Sequence, residues 1–493
     1  MTAACATLAS VTDVDPSTPV PGQSPGQSQG PAFTADDLVR LTGGRLLVRS
    51  DRPIRGASVD SRLVVAGEVF VALPGERTDG HAFLTEAIAR GAAALIVTRP
   101  APDPTTLGDV TVIRVADPIA ALGALAAGWR RRFAPLVVGV TGSIAKTSTK
   151  EAVAAVLSTR FRTLRNEGNQ NNEIGLPLTL MQLGPEHQAA VLEMGMYVGG
   201  DIADLARMAR PSIGVVTAVQ PVHLSRIGSL DAIEAAKGEL LEALPPDGTA
   251  ILNADDPIVR GMGRRSTARS VSYGFADDAD VHAEAVTSAG SEGMRFTLRA
   301  EGMRRLVTIP TLGRLSVHNA LAAAAVGRAA GLSFDEIEAG LEAGWSAPHR
   351  VQLVRLGAVT LIDDAYNASP RSMVAALELL AGLPGRRGAV LGEMLELGDA
   401  SAEGHRLVGE AAARIVDWLL VVGAGASGIA EGAQAAGMDP SSITRVRDAD
   451  EAVESLPPRI RDGDVVLIKA SRGIALERVV DGLRRELGPS VGR

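Results

Sequence analysis

The chain has a single cysteine and no excess of positive charge. Cys5 has no partner for an intramolecular disulfide among the 493 residues, which is typical of a protein from a reducing compartment. Lys and Arg number 49 against 57 Asp and Glu, for a net charge of −8, and no block of basic residues occurs. Because a surface that binds nucleic-acid phosphates is basic, we expect no nucleic-acid partner.

Long apolar runs are also absent. No segment approaches the roughly 20 apolar residues that cross a bilayer, and the first residues lack the basic and then apolar pattern of a secretory signal. We therefore expect a cytoplasmic protein with no membrane partner. A length of 493 residues exceeds what one hydrophobic core supports, which predicts two to four domains. Nothing in the sequence requires more than a monomer.

The most informative motif is a hydrophobic run that breaks into a glycine turn and then a helix, Val137-Val-Gly-Val-Thr-Gly-Ser-Ile-Ala-Lys-Thr-Ser-Thr-Lys-Glu151. Backbone N–H groups at such a turn form a concave anion site at the positive end of the helix. Lys146 would act on the β- and γ-phosphates of a nucleotide and Thr147 would hold Mg2+. The predicted nucleotide-binding residues of this loop are Thr141, Gly142, Ser143, Ile144, Ala145, Lys146, Thr147 and Ser148.

Ala145 departs from the phosphate-loop pattern, in which glycine usually precedes the lysine. A Cβ at this position costs about 1 kcal/mol or more if the residue needs a positive φ, and is harmless otherwise. The alternative interpretation is an ordinary strand-to-helix turn whose helix is capped by Thr141 or Ser143.

Three further polar residues are candidates for a site because of their positions in predicted strands and helices. Glu193 ends the run Val191-Leu-Glu, and His223 follows the β-branched run that starts at Gly214. Lys237 lies in the middle of a predicted helix. Ligands of open parallel sheets gather at the carboxyl ends of the strands, although each residue also has a simpler interpretation: a helix cap, a turn histidine and a solvated lysine.

More motifs occur in a fixed order along the chain. They are Ser58-Val-Asp-Ser-Arg62, Gly67-Glu-Val-Phe-Val-Ala-Leu-Pro-Gly75, Asn169-Gln-Asn-Asn-Glu-Ile-Gly-Leu-Pro177, His318-Asn-Ala-Leu321, Pro348-His-Arg350, Ile362-Asp-Asp-Ala-Tyr-Asn-Ala-Ser-Pro370, Gly392-Glu-Met-Leu-Glu-Leu-Gly398 and Lys469-Ala-Ser-Arg472. From about Phe33 onward this order resembles the Mur ligases, the ATP-dependent amide-forming enzymes of peptidoglycan synthesis. Within that family the phrase from Asn169 to Pro177 is most similar to the branch that adds D-alanyl-D-alanine to UDP-N-acetylmuramoyl-tripeptide.

The resemblance implies an α/β fold of three domains. Residues 1–32, rich in Pro, Gly, Ser and Gln, are expected to form a disordered tail. An N-terminal α/β domain for the UDP substrate would span 33–133, with a hinge at Phe133-Ala-Pro135. A central P-loop ATPase-like domain with a mostly parallel sheet would span 134–346, and a C-terminal Rossmann-like α/β domain 347–493.

The resemblance also assigns roles to residues. Catalysis is assigned to Lys146, Glu193, His223 and Lys237, and metal binding to Thr147, Glu193, His223 and Lys237. Lys237 is expected to be carbamylated beside Mg2+. Asn319, Arg350 and Asp364 match positions for adenine, γ-phosphate and ribose, so ATP would lie between two domains. UDP-substrate binding is assigned to Ser61, Arg62, Asn169 and Asn172, and the second-substrate region to Asn367, Lys469, Ser471 and Arg472.

Two departures keep other interpretations open. Besides Ala145, the segment Ala218-Val-Gln-Pro-Val-His-Leu-Ser225 lacks the asparagine, glycine and acid expected after its His-Leu pair. The alternatives are another amide ligase of the superfamily, such as the enzyme that adds the third amino acid or a folylpolyglutamate synthase, and a catalytically silent nucleotide-binding module. A third is an interaction protein that uses the N-terminal tail.

Overall fold

The computed structural model describes residues 31–75, 78–99, 107–220 and 228–487. Helices and strands alternate along most of this length and form three separate sheets. The prediction of an α/β fold with mostly parallel sheets is confirmed. The predicted domain boundaries remain predictions, as does the disordered tail, of which residues 1–30 lie outside the described part.

The first sheet has the strand order β1-β5-β4-β3-β2. Its strands are β1 Arg45–Val48, β2 Ala57–Ser58, β3 Val69–Val71, β4 Ala94–Val97 and β5 Thr111–Arg114, with helices α1 Ala35–Thr42, α2 Leu84–Ala89 and α3 Pro118–Arg130. Only β1 runs antiparallel to its neighbour. Helix α1 is capped at both ends: the Thr34 side chain accepts a hydrogen bond from Asp37 N, and Gly43 adopts a left-handed φ of 65°, which glycine tolerates.

The second sheet has the order β14-β13-β12-β11-β10-β9-β6-β8-β7. Its strands are β6 Leu136–Thr141, β7 Thr163–Arg165, β8 Ala189–Glu193, β9 Ile213–Val216, β10 Thr249–Asn253, β11 Arg269–Gly274, β12 Val281–Ser288, β13 Met294–Ala300 and β14 Met303–Ile309. The helices between β6 and β14 are α4 Lys146–Leu157, α5 Gly175–Leu180, α6 Asp201–Ala209, α7 Leu230–Glu242 and α8 Pro257–Gly261. Two more helices, α9 Arg314–Ala329 and α10 Phe334–Ala343, follow β14. Strand β13 runs antiparallel to its neighbours β12 and β14, and all the other neighbouring pairs are parallel.

The third sheet has the order β15-β16-β20-β17-β18-β19. Its strands are β15 Gln352–Leu356, β16 Val359–Asp363, β17 Arg386–Gly392, β18 Trp418–Val422, β19 Ile443–Val446 and β20 Asp464–Lys469, with helices α11 Pro370–Ala381, α12 Ser401–Ala413, α13 Ser427–Ala435, α14 Ala449–Ser455 and α15 Glu477–Leu487. Strand β15 pairs antiparallel with β16, and the other pairs are parallel.

Two compact units make up the chain. The first comprises the residues up to Pro135 together with Asn169–Gln188 and Arg207–Ala209. The second comprises Leu136–Gly168, Ala189–Ala206 and the residues from Arg210 onward, and it contains the second and third sheets. Within the described residues, no helix is both long and apolar enough to cross a membrane.

Helices α4 and α9 belong to one hydrophobic core with strand β6. Buried residues of this core include Val138 and Val140 on β6, Val153 on α4 and Leu321 on α9. The run Ala322-Ala-Ala-Ala325 is buried as well, and its small side chains let the two helices approach closely. This packing fixes the start of α4 at the end of β6, where the predicted phosphate loop lies.

Candidate active site

The carboxyl ends of four neighbouring parallel strands meet at one edge of the second sheet. Strands β10, β9, β6 and β8 are adjacent and parallel. They end at or next to Asn253, Thr217, Thr141 and Glu193, all of which are buried. Because ligands of parallel sheets bind at this edge, the strand order itself places the predicted loop in a binding position.

The loop between β6 and α4 has the geometry of an anion-binding turn. Ala145, directly before α4, adopts a left-handed conformation with φ 63° and no side chain caps the helix. The interpretation of Thr141 or Ser143 as the cap is wrong, since Thr141 Oγ1 donates to Met194 O at 3.0 Å and Ser143 Oγ to Gln220 O at 3.1 Å. The first N–H groups of α4 therefore remain for an anion.

Gly142 and Thr217 hold the loop in shape. Gly142 has φ 151°, and a Cβ on it would lie 1.9 Å from Thr217 Oγ1, so only glycine fits. Thr217 Oγ1 donates to Ile144 O at 2.6 Å. Sequence reasoning missed Thr217, although its position directly after the buried strand β9 is the kind of position that identified Glu193.

Lys146 is the first residue of α4 and its side chain folds over the loop. Its Nζ donates to Gly142 O at 2.9 Å. Desolvation lowers the pKa of Lys146, the Glu193 carboxylate opposes this effect, and the Arg350 guanidinium adds to it. The lysine is therefore subject to an attractive carboxylate and a repulsive second cation.

Thr147 and Glu193 form a buried pair of oxygen ligands. Thr147 Oγ1 donates to Glu193 Oε2 at 2.7 Å. Mg2+ prefers oxygen ligands and is usually held by one or two protein carboxylates together with substrate phosphates. No group of three or more His, Cys, Asp and Glu that could hold a metal occurs in the described part of the chain. The residues present thus fit Mg2+ bound jointly with a nucleotide.

Asn166 clamps the backbone of Glu193, which sequence reasoning did not foresee. Its Nδ2 donates to Glu193 O at 3.0 Å and its Oδ1 accepts from Glu193 N at 2.9 Å. The buried Lys150 Nζ donates to Asn166 O and lies 2.8 Å from Glu151 Oε1. This buried polar chain fixes the end of β8 relative to α4. Its only signal in the sequence is the position of Asn166 shortly after the strand run that ends at Arg165.

Lys237 lies in the middle of α7, as predicted, but it is not a solvated residue. Its side chain is 3% exposed, so the interpretation as a surface lysine is wrong. Its Nζ donates to Met196 Sδ at 3.7 Å. Burial lowers the pKa of Lys237 well below the usual value, and the nearby Lys146 lowers it further.

Arg350 and Asp364 lie at the edge of the third sheet, within the same compact unit as the loop. Asp364 is buried, and its Oδ2 lies 2.6 Å from Lys469 Nζ. Burial raises the pKa of Asp364, while the charges of Lys469 and Arg350 act to keep it ionised. The charge of Arg350 thus influences the pKa of Lys146 in the loop as well as that of Asp364.

Asn319 lies on α9 and is buried. Its Oδ1 accepts a hydrogen bond from Thr149 Oγ1 at 3.0 Å, so its Nδ2 is the group that could donate to a base. The neighbouring His318 contacts Asn253 Oδ1 at 3.0 Å and Asp255 Oδ2 at 3.2 Å through Nε2. These contacts anchor the start of α9 at the carboxyl edge of β10.

The predicted second-substrate region surrounds the end of β20. Lys469 Nζ donates to Asn367 O at 2.8 Å, and Ser471 Oγ accepts from Leu395 N at 2.9 Å. Arg472 is exposed and its Nη1 donates to the hydroxyl of Tyr366 at 3.1 Å. Lys469 and Arg472 therefore contact the segment Asp364–Asn367, which includes the predicted Asn367, whereas Ser471 contacts Leu395.

The predicted UDP-substrate residues all belong to the other compact unit. Ser61 Oγ donates to Glu86 Oε2 at 2.7 Å, and Arg62 pairs with Asp60 at 2.6 Å. Asn172 Oδ1 accepts from Gly175 N, the first residue of α5, at 2.9 Å, while Asn169 O accepts from Asn171 N at 2.7 Å. Within the described residues, no hydrogen bond or ion pair joins Ser61 or Arg62 to Asn169 or Asn172.

His223 lies outside the described residues, so its predicted catalytic and metal-binding roles remain predictions.

Comparison with known proteins identifies the family. Three family models match consecutive parts of the chain: the Mur ligase family catalytic domain over residues 53–130, the Mur ligase middle domain over 140–327 and the Mur ligase glutamate ligase domain over 349–472. The chain is 37% identical to the UDP-N-acetylmuramoyl-tripeptide--D-alanyl-D-alanine ligase of Synechocystis over 90% of its own length and 94% of that protein.

Solved structures agree with the sequence comparison. MurF from Acinetobacter baumannii superposes with a TM-score of 0.82 at 31% identity, over 92% of this chain and 99% of that one. MurF ligase from Thermotoga maritima in complex with ADP superposes with a TM-score of 0.76 at 30% identity, over 88% and 98%. With its sheets and phosphate loop in this arrangement, the chain belongs to the Mur ligase family.

Proposed function

We propose that this chain is the ATP-dependent ligase that joins D-alanyl-D-alanine to UDP-N-acetylmuramoyl-tripeptide, giving UDP-N-acetylmuramoyl-pentapeptide, ADP and phosphate. The observation that carries the proposal is the phosphate loop, in which Lys146 follows the turn at Gly142 and Thr147 contacts the buried Glu193, in the same compact unit as Arg350. The name of the Synechocystis relative supplies the substrates. The bound ADP of the Thermotoga structure supports the nucleotide.

The reaction needs activation, because a carboxylate does not condense with an amine in water. The terminal carboxylate oxygen of the tripeptide attacks the γ-phosphorus of ATP, the bond to the β-phosphate oxygen breaks, and an acyl phosphate and ADP result. The neutral amine of D-alanyl-D-alanine then attacks the acyl carbon to give a tetrahedral intermediate. Its collapse expels phosphate and leaves the amide, and the proton lost from the nitrogen is taken up by the released phosphate. Phosphoryl transfer depends on alignment and charge neutralisation more than on covalent help from the protein.

The residues of the site supply that alignment. The N–H groups at the start of α4 and the Lys146 ammonium would hold the β- and γ-phosphates, and Arg350 would approach the γ-phosphate from the third sheet. Asn319 would donate to adenine and Asp364 would accept from the ribose. Since Asn319 follows the second sheet while Asp364 follows a strand of the third, ATP would lie between the two, and closure over it would exclude water.

Thr147 and Glu193 are the described residues that would hold Mg2+. When bound, the ion neutralises charge on the phosphate oxygens. The clamp of Asn166 on Glu193 would keep that carboxylate in place. His223 is proposed as a ligand for a second Mg2+ on the basis of the resemblance alone.

Lys237 is proposed to be carbamylated. The carbamate forms from CO2 and a neutral amine, and burial favours the neutral amine by lowering the pKa of this lysine. The product would be an anionic group near the Lys146 ammonium, so that an attraction between opposite charges would replace the repulsion that two ammonium groups would have. This carboxylate-like group would face the metal site.

The two peptide substrates would bind to different parts of the chain. Ser61, Arg62, Asn169 and Asn172 are proposed for the UDP substrate, and their membership of one compact unit supports grouping them. Asn367, Lys469, Ser471 and Arg472 are proposed for D-alanyl-D-alanine. The domain boundaries 33–133, 134–346 and 347–493 are proposed to separate these functions.

Phosphate release measured with UDP-muramoyl tripeptide, ATP and D-alanyl-D-alanine tests the proposal. We expect release only when all three are present, and omission of any one should abolish it. Release with a single amino acid instead of the dipeptide would favour another amide ligase of the superfamily. Nucleotide binding with no turnover under any combination would favour the silent module.

A further inference from the structure

Tyr366 lies between two arginines of the candidate site. The Arg350 guanidinium carbon is 4.0 Å from the centre of its ring, and that of Arg472 is 5.2 Å away. Arg472 Nη1 also donates to the phenol oxygen at 3.1 Å. One side chain thus contacts an arginine assigned to the γ-phosphate and an arginine of the second-substrate region.

The backbone ties the ring to the segment that carries Arg350. Tyr366 N donates to His349 O at 3.1 Å, and Val351 N donates to Asp364 Oδ1 at 3.3 Å. His349 and Val351, on either side of Arg350, have positive φ values of 56° and 51°. Such conformations persist only where the surrounding contacts enforce them, and for the β-branched Val351 they are especially rare.

A further contact enforces the same conformation. His349 Nδ1 lies 2.9 Å from Asp363 Oδ2, and this hydrogen bond raises the pKa of His349. Arg350 is consequently held by its neighbours on both sides and by the ring that its guanidinium faces. Stacking restricts the guanidinium plane while its N–H groups stay available for a phosphate.

We propose that Tyr366 is a positioning residue that couples nucleotide binding to binding of the amine substrate. Its ring face orients Arg350 for the γ-phosphate, and its hydroxyl orients Arg472 for the dipeptide. The inference rests on the proposed function for the identity of the second substrate. A coupling of this kind is reciprocal: if the dipeptide strengthens binding of the nucleotide, the nucleotide strengthens binding of the dipeptide by the same factor.

Two substitutions separate the contacts. Tyr366→Phe keeps the ring and removes the hydroxyl, whereas Tyr366→Leu removes both. We expect Tyr366→Phe to raise KM for D-alanyl-D-alanine about threefold to tenfold and to leave the Kd of a non-hydrolysable ATP analogue unchanged without dipeptide. Tyr366→Leu should raise that Kd about threefold to tenfold as well. Melting temperature checks that both variants fold.

A double-mutant cycle tests whether the Tyr366 hydroxyl affects KM for the dipeptide through Arg472. In the Arg472→Ala background, Tyr366→Phe should have no further effect on KM for the dipeptide, because the hydroxyl acts through Arg472. Additive effects, or equal losses of analogue affinity in Tyr366→Phe and Tyr366→Leu, would overturn the proposal. So would an unchanged analogue affinity in Tyr366→Leu.

The measurements distinguish a wrong substrate assignment from a wrong role for Tyr366. If the unmodified protein does not use D-alanyl-D-alanine, the substrate assignment is wrong, yet analogue affinity still reports on the contact between the ring and Arg350. If the unmodified protein turns over normally and the variants match it in both constants, only the role of Tyr366 is wrong.

Discussion

At the residue scale, Ala145 has the least favourable conformation in the phosphate loop. The sequence left the sign of its φ open, because nothing in a sequence states whether a turn position is left-handed. The structure gives 63°, so the Cβ has a real cost. The strain of an alanine at positive φ destabilises the fold by about 1–2 kcal/mol. A glycine at the same position has no such strain, and its greater loss of backbone entropy on folding costs only about 0.5–1 kcal/mol.

The variant Ala145→Gly should therefore be more stable than the natural sequence by about 0.5–1 kcal/mol. Denaturant unfolding, followed by a signal from the second sheet, measures this difference. Ala155→Gly, in the interior of the same helix, is the matched control and should lose about 1 kcal/mol. A loss of stability in both variants would mean that the left-handed conformation at Ala145 is not strained.

Lys237 is the residue whose role depends most on its surroundings. The predicted helix placed it correctly, but burial comes from the packing of α7, which one sequence does not reveal. If it carries a carbamate, Lys237→Ala should be nearly inactive and should recover part of its activity when a short carboxylic acid is supplied. The unmodified protein with the same acid is the control. Full activity of the alanine variant would exclude the role.

At the element scale, predictions succeeded where the local signal was strong. Strands β6, β8 and β9 coincide with the hydrophobic runs at Val137, Val191 and Gly214. Strands β15 and β19 show no such run. Each has an arginine among its residues, Arg355 in β15 and Arg445 in β19, and each lies at an edge of the sheet. An edge strand buries less apolar surface, so its pattern is weak.

The two hydrogen bonds between Asn166 and Glu193 join the segment after β7 to the end of β8, and no sequence motif predicts this contact. Asn166→Ala removes two hydrogen bonds to buried backbone groups, which should cost about 1–3 kcal/mol for each group left unpaired. Because Glu193 then loses its fixed position, we also expect Mg2+ to strengthen binding of a non-hydrolysable ATP analogue less than in the natural protein. Calorimetric titrations with and without Mg2+ measure this effect.

Asn166→Asp is the control for that prediction. Its carboxylate can still accept from Glu193 N but cannot donate to Glu193 O, and it adds a negative charge beside the backbone oxygen. We expect it to restore little of the Mg2+ effect. If Asn166→Ala lowers stability while the Mg2+ dependence stays at the natural value, the clamp is structural and does not position the metal ligand.

At the scale of the whole molecule, the sequence predicted the order of the motifs along the chain better than it predicted which residues contact one another in the fold. The resemblance supplied Arg350 and Asp364 as members of a nucleotide site. The contact of Asn319 with Thr149, 170 residues earlier, and the approach of Arg350 to Lys146 depend on long-range packing that periodicity does not encode. Thr217, Asn166 and Tyr366 were overlooked because their roles arise from partners far away in the chain.

A nucleotide held between the second and third sheets should protect both of them from hydrogen exchange. With a non-hydrolysable ATP analogue and Mg2+, we expect slower amide exchange in residues 142–150 and in 363–368. Strands β14 and β19, at edges of these sheets, serve as internal controls and should change little. Lys146→Ala should fold but lose the protection of both segments, because the phosphates that bridge them are no longer held. Protection confined to residues 142–150 in the natural protein would show that Arg350 and Asp364 do not contact the nucleotide, and the proposed division of the site between the two sheets would be wrong.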